Sequence, residues 1–191
     1  MKKTIKFLLV LLSCIVLAGC GENDKVTEDA GTEEDSENAA TEEQAYIPKF
    51  EGTTVDGEKF SSDSFADTKL TMVNVWATYC SPCLNEMPSL GEIAASYDEL
   101  EFRIIGVVCD VEENASEKDI EYVKELIEST KADYTHLLLG DSLYTNLVGG
   151  VYVVPTTFFF NQKGECLGYL ESAYPKETWV QLIEKLLTEV E

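Results

Sequence analysis

Leu70-Thr71-Met72-Val73-Asn74-Val75-Trp76-Ala77-Thr78-Tyr79-Cys80-Ser81-Pro82-Cys83 passes directly from an extended run into the start of a helix. Leu70–Trp76 is apolar and β-branched, the composition of a strand buried inside a sheet. From about Cys80 to Tyr97 the pattern is helical, with Pro82 placed early, where a missing N–H costs nothing. A thiol at a helix N-terminus faces unpaired backbone N–H groups and the positive end of the macrodipole, so its thiolate is favoured. A second thiol one turn later can close a small disulfide with it, and the pair can cycle between dithiol and disulfide. Half of a zinc site is the competing reading. Zinc needs about four ligands, usually as two such pairs, whereas this chain has no second Cys-x-x-Cys and a single histidine, His136. No metal or other cofactor is expected.

Helix geometry separates the roles. At about 100° per residue, Cys83 falls on the same face as Met87, Leu90, Ala94 and Tyr97, while Cys80 stands at the exposed helix tip. Cys80 is therefore the expected nucleophile and Cys83 the resolving thiol. Glu86 lies at the edge of the apolar face, where desolvation raises a carboxyl pKa. Such a group can exchange a proton with Cys83 as the disulfide opens or closes. A partly exposed glutamate without a role is the alternative the residues leave open.

Around this stretch, extended segments alternate with helical ones. Strand signals sit near 50–60, 70–77, 101–109, 135–139, 156–161 and 165–171, and helical patterns cover about 80–97, 116–130, 141–148 and 175–190. Ser116 and Asp119 resemble a capping box, Pro175 opens the last helix, and Asn161-Gln162-Lys163-Gly164 reads as a hairpin loop. Pro88 has no N–H to give Leu84 and kinks its helix. The order predicts an α/β domain with a central mixed sheet flanked by helices on both faces.

Residues 1–19 read as a lipoprotein signal peptide: Lys2, Lys3 and Lys6 precede an apolar run too short for a comfortable membrane span. Leu17-Ala18-Gly19-Cys20 resembles the bacterial lipobox, with Cys20 lipidated. Residues 20–45 carry ten acidic side chains against one lysine and no apolar periodicity, the composition of a disordered spacer. Residues 46–191 form the folded domain. The formal charge of −22 becomes three units more negative once the leader lysines are removed, which argues against nucleic acid and anionic lipid surfaces as partners.

Trp76-Ala77-Thr78-Tyr79-Cys80-Ser81-Pro82-Cys83 resembles the thioredoxin-superfamily signature, and Leu84-Asn85-Glu86-Met87-Pro88 narrows the resemblance to the TlpA/ResA-like membrane-anchored thiol-disulfide oxidoreductases. The likeness extends through Ile47-Pro48-Lys49-Phe50, Val55-Asp56-Gly57-Glu58 and Val153-Val154-Pro155-Thr156-Thr157. Lys49 departs from it, since the family more often has an acidic residue there. The resemblance implies a thioredoxin-like fold with an N-terminal β extension and a helix–strand insert at 116–139. It implies a cis bond before Pro155 in a loop beside the cysteines, client contact through Val154, Trp76 and Tyr79, and a functional glutamate at Glu86. Thioredoxins proper carry a buried aspartate where Asn74 stands. An amide cannot hold a proton at neutral pH, so Glu86 is the candidate acid. On that sheet, Cys109, ending one strand, and Cys166, beginning another, lie about 14 Å apart at roughly 4.8 Å per strand, too far for a disulfide. Both read as small buried hydrophobes, and His136 as structural.

The expected function is reduction of disulfides in exported client proteins on the outer face of the cell membrane. Oxidised enzyme would be recharged by a membrane electron donor of the CcdA/DsbD type. A peroxiredoxin-type peroxidase would require Pro-x-x-x-Thr-x-x-Cys, absent around Cys80. A copper-delivery protein on the same fold would space its cysteines by three and add a late histidine.

Overall fold

The computed structural model describes residues 45–190, so the readings of the leader, of Cys20 and of almost all the acidic spacer lie outside the described residues. A hairpin of β1 (Glu51–Thr53) and β2 (Lys59–Ser61) leads through a 3-10 turn, Ser62–Asp67, into β3 (Leu70–Trp76) and α1 (Ser81–Ala94). Then come β4 (Phe102–Glu112), α2 (Glu117–Thr130), β5 (Thr135–Leu139), α3 (Asp141–Asn146), β6 (Thr156–Asn161), β7 (Cys166–Leu170) and α4 (Lys176–Glu189). The main sheet has the order β5-β4-β3-β6-β7, parallel from β3 to β5 and antiparallel at β6 and β7.

Departures from the expected elements have local causes. The extended signal at 50–60 is two strands, because Gly57 N–H closes a turn on the Thr54 carbonyl at 2.9 Å. Strand β4 runs to Glu112, resuming its pairing with β5 beyond an irregularity after Val108, so Cys109 sits within the strand and not at its end. Helix α1 stops at Ala94, short of Tyr97, where the Ser96 hydroxyl donates to the Ile93 carbonyl at 2.7 Å in place of a further turn.

Alternation along the strands divides the core. Val73, Val75, Ile105, Val107, Leu137 and Phe160 pack beneath the hairpin, α3 and the 3-10 turns at Ser62–Asp67 and Val148–Gly150 with Phe50, Phe65 and Leu143. On the opposite face Met72, Trp76, Ile104 and Phe159 meet Cys83, Met87 and Leu90 of α1 and Trp179 and Ile183 of α4. Each such side chain contributes about 1.5–3 kcal/mol through burial. One row across this apolar sheet is polar: the registers bring His136, Gly106, Asn74 and Thr157 side by side on β5, β4, β3 and β6.

Candidate active site

Cys80 occupies the N-cap of α1 and is disulfide-bonded to Cys83, with Cα atoms 5.3 Å apart. Cys83 N–H donates to Cys80 Sγ at 3.3 Å, so the sulfur takes the place an N-cap oxygen usually fills. Pro82, in the first turn, removes an N–H that would have had no partner. The cap position and the helix dipole both favour negative charge on Cys80 Sγ once the disulfide opens. Cys80 is not the exposed tip the sequence suggested, being 5% exposed against 0% for Cys83. Trp76, Ala77 and Val154 enclose it in the same apolar cluster.

Glu86 follows Cys83 by one helical turn and is buried rather than at the core edge. Its Oε1 accepts from Asn74 Nδ2 at 3.3 Å, and its Oε2 accepts from Tyr174 N–H and Trp179 Nε1–H, both at 3.3 Å. Burial pushes the carboxyl up to about 7, against the opposing pull of these three donors. Asn74 also donates to Thr157 Oγ1 at 3.0 Å, as the strand register that sets the two opposite each other requires. Trp179 carries no motif in the sequence that marks it as a partner of Glu86. Its indole N–H reaches Glu86 because α4 packs on α1, a long-range pairing with no local signal.

Trp76 corrects an expectation. It is wholly buried and cannot touch a client; its Nε1–H donates to His136 Nδ1 at 3.2 Å. The indole can only donate, so His136 carries its proton on Nε2 and donates to the Ala132 carbonyl at 3.0 Å. Burial holds His136 down to about 4, leaving it neutral, and Tyr134 stacks on its ring at 4.4 Å. Trp76 thus supports the floor beneath the cysteines.

The Val154–Pro155 bond is cis, and Val154 packs against the cluster holding Cys80. Among the described residues neither the N–H nor the carbonyl of Val154 has a backbone partner. Two aromatics stand out at this end: Tyr79, 75% exposed, and Tyr152, 90% exposed, the latter unmarked by any sequence motif. Asp110 is a further residue missed from sequence. Its carboxylate accepts Thr78 N–H at 3.0 Å and Thr78 Oγ1–H at 2.6 Å, fixing the loop that delivers Cys80.

Cys109 and Cys166 are free thiols, half-buried rather than fully buried, with β3 and β6 between their strands. Burial pushes the Cys109 thiol up to about 11, with help from Asp110, and raises that of Cys166. Neither resembles the Cys80 environment. Among the described residues no three His, Cys, Asp or Glu side chains are grouped to hold a metal ion.

The profile of the AhpC/TSA family matches residues 44–166. The chain is 32% identical over 124 residues to the thioredoxin-like protein YneN of Bacillus subtilis, covering 64% of this chain and 68% of that protein. It is 27% identical over 141 residues to the thiol-disulfide oxidoreductase ResA of Bacillus thuringiensis, covering 73% and 75%. Among solved structures, a thioredoxin-family thiol:disulfide interchange protein from Chlorobium tepidum superposes with a TM-score of 0.63 at 23% identity, over 77% of this chain and 99% of that one. That likeness establishes the thioredoxin-like fold.

Proposed function

The chain belongs to the thioredoxin-like AhpC/TSA family, and from that premise we propose that it is a thiol-disulfide oxidoreductase that reduces disulfides in exported proteins. The observation that carries this reading is the Cys80–Cys83 pair at the N-cap of α1 with the buried Glu86 carboxyl one turn behind. In the reduced enzyme, Cys80 Sγ⁻ attacks one sulfur of a client disulfide; a Cys80–client bond forms and the client's other sulfur leaves as a thiolate. Cys83 gives its proton to Glu86 and attacks Cys80 Sγ. The mixed disulfide breaks, the second client thiolate departs, and the enzyme ends oxidised by the two electrons the client has gained.

Val154 offers its free backbone groups to an extended client segment beside the cis Pro155, with Tyr79 alongside. The low exposure of Cys80 suits a client that seats a sulfur into the site over one approached edge-on. The lipobox at Cys20 and the acidic spacer support a lipid-anchored enzyme on the outer face of the membrane. No described helix is long and apolar enough to cross one. Turnover requires re-reduction by a dithiol donor, for which a CcdA/DsbD-type membrane protein is the fitting class.

Replacing Cys83 tests the assignment of roles. Cys83→Ala is expected to accumulate mixed disulfides on Cys80, seen on non-reducing gels and identified by mass spectrometry, while Cys80→Ala accumulates none. Adducts forming on Cys83 instead would reverse the assignment. Failure of both variants to trap any disulfide-bearing protein would remove the activity.

A further inference from the structure

We infer that the two oxygens of Glu86 have fixed and different duties: Oε2 is a permanent acceptor, Oε1 is the atom that takes and releases the proton, and Asn74 is the positioning residue that accommodates both states. The inference deepens the reading of Glu86 as proton carrier and rests on it.

The donors decide the matter. Oε2 faces Tyr174 N–H and Trp179 Nε1–H, each at 3.3 Å, and neither group can accept a hydrogen bond. A proton on Oε2 would point hydrogen at hydrogen within a buried site. Oε1 faces only Asn74 Nδ2 among the described residues, at 3.3 Å. An amide differs from a backbone or indole N–H in carrying an acceptor as well.

In the arrangement observed, Asn74 Nδ2 serves Glu86 Oε1 and Thr157 Oγ1, which suits an ionised carboxylate. Its Oδ1 is buried without a partner. Rotating the amide by a half-turn about its terminal torsion exchanges Oδ1 and Nδ2 in space. Oδ1 then accepts from a protonated Oε1 and from the Thr157 hydroxyl, which can donate as readily as accept. Either orientation leaves one amide atom unpaired, so neither is locked, and the amide follows the carboxyl. When Cys83 surrenders its proton, the S–H bond breaks, Oε1–H forms and the sulfur keeps the electron pair with which it attacks Cys80. An aspartate at position 74 would place a second negative charge there; an apolar residue would serve neither state.

The remaining titratable groups around the carboxyl are Cys80 and Cys83 on its own helix, the buried hydroxyl of Tyr134, and Tyr174, whose ring meets Trp179 edge-on at 5.2 Å. Neither tyrosine hydroxyl hydrogen-bonds to Oε1, which leaves Cys83, one turn back on the same helix, as the thiol that exchanges a proton with it.

The test uses the reduced enzyme and two readouts: the pH profile of Cys80 alkylation, and the carboxyl C=O stretch of protonated Glu86 in difference infrared spectra, assigned by its loss in Glu86→Gln. Asn74→Leu and Trp179→Phe each remove one donor from the ionised carboxylate. Each is expected to move the profile's Glu86 inflection about one pH unit alkaline, a tenfold change in proton affinity. With the proton on Oε1, Oε2 is the C=O oxygen, so Trp179→Phe also shifts the stretch to higher frequency. An unmoved stretch would place the proton on Oε2 and overturn the inference, as would unmoved inflections in both variants. If Glu86→Gln itself keeps the wild-type inflection, the fault lies with Glu86 as proton carrier. Should Asn74→Leu fail to fold, Trp179→Phe and its spectrum still decide.

Discussion

At the scale of single residues, Glu86 links catalysis to stability through one proton. Its carboxyl titrates near 7 when folded and near 4.5 otherwise. Between those values the folded state holds a proton that the unfolded chain has released, so the contribution to stability falls as pH rises from about 4.5 to about 7 and then levels. At about 1.36 kcal/mol per unit the total is on the order of 3 kcal/mol. Glu86→Gln, which resembles the protonated acid, is expected to lose this slope and to exceed the wild type in stability above pH 7. Urea midpoints of the two oxidised proteins at pH 5, 6, 7 and 8 measure the difference; parallel curves would refute it. Much of this site was legible in the chain. Helix phase put Cys83 inward and Glu86 at the edge of the apolar face, and the amide at Asn74 left Glu86 as the candidate acid. Trp76 was misjudged because a motif position does not say which way a large ring turns. That direction is set by His136, sixty residues away.

At the scale of elements, the β3–α1 junction works because β4 and β5 yield space beside it. A Cβ on Gly106 would stand 2.1 Å from His136 Nδ1 and 2.5 Å from Cε1. Gly106 is what lets the imidazole lie across β4 to reach Trp76. Gly106→Ala is expected to cost about 1–3 kcal/mol through overpacking and to change Trp76 fluorescence as its indole N–H loses its acceptor. Gly150→Ala, where no atom lies within 4 Å of the added carbon, serves as the control and should do neither. Calorimetry and emission spectra of both variants check this; equal effects would mean the ring can step aside. Element order and type were readable from alternation of periodicity, with boundaries within a few residues. The extension of β4 past Cys109 was not readable, since an irregular pairing with a neighbouring strand leaves no mark in local sequence.

At the scale of the whole molecule, charge is the dominant fact. The full chain carries a net −22 with every lysine and arginine already counted, and exposed ion pairs among the described residues such as Lys49–Asp63, Lys124–Asp56 and Lys176–Glu92 are each worth little in water. Self-repulsion should then yield to screening, which shortens from about 30 Å at 0.01 M salt to about 10 Å at 0.1 M. The melting temperature is expected to rise by several degrees between 10 mM and 500 mM sodium chloride; a fall in scanning calorimetry would show that attractive pairs dominate. The row of His136, Gly106, Asn74 and Thr157 bears on a different problem, that of assembling the strands correctly. A slip of one position turns every side chain to the wrong face and is rejected by the core, but a slip of two keeps Val, Ile and Phe on their proper sides and is nearly invisible to oily packing. Only one alignment sets amide against hydroxyl and leaves bare backbone under the imidazole. The residues that serve the chemistry therefore also act as a proofreading mark for the sheet, and a variant stripped of them would risk strands zipped two positions out of step.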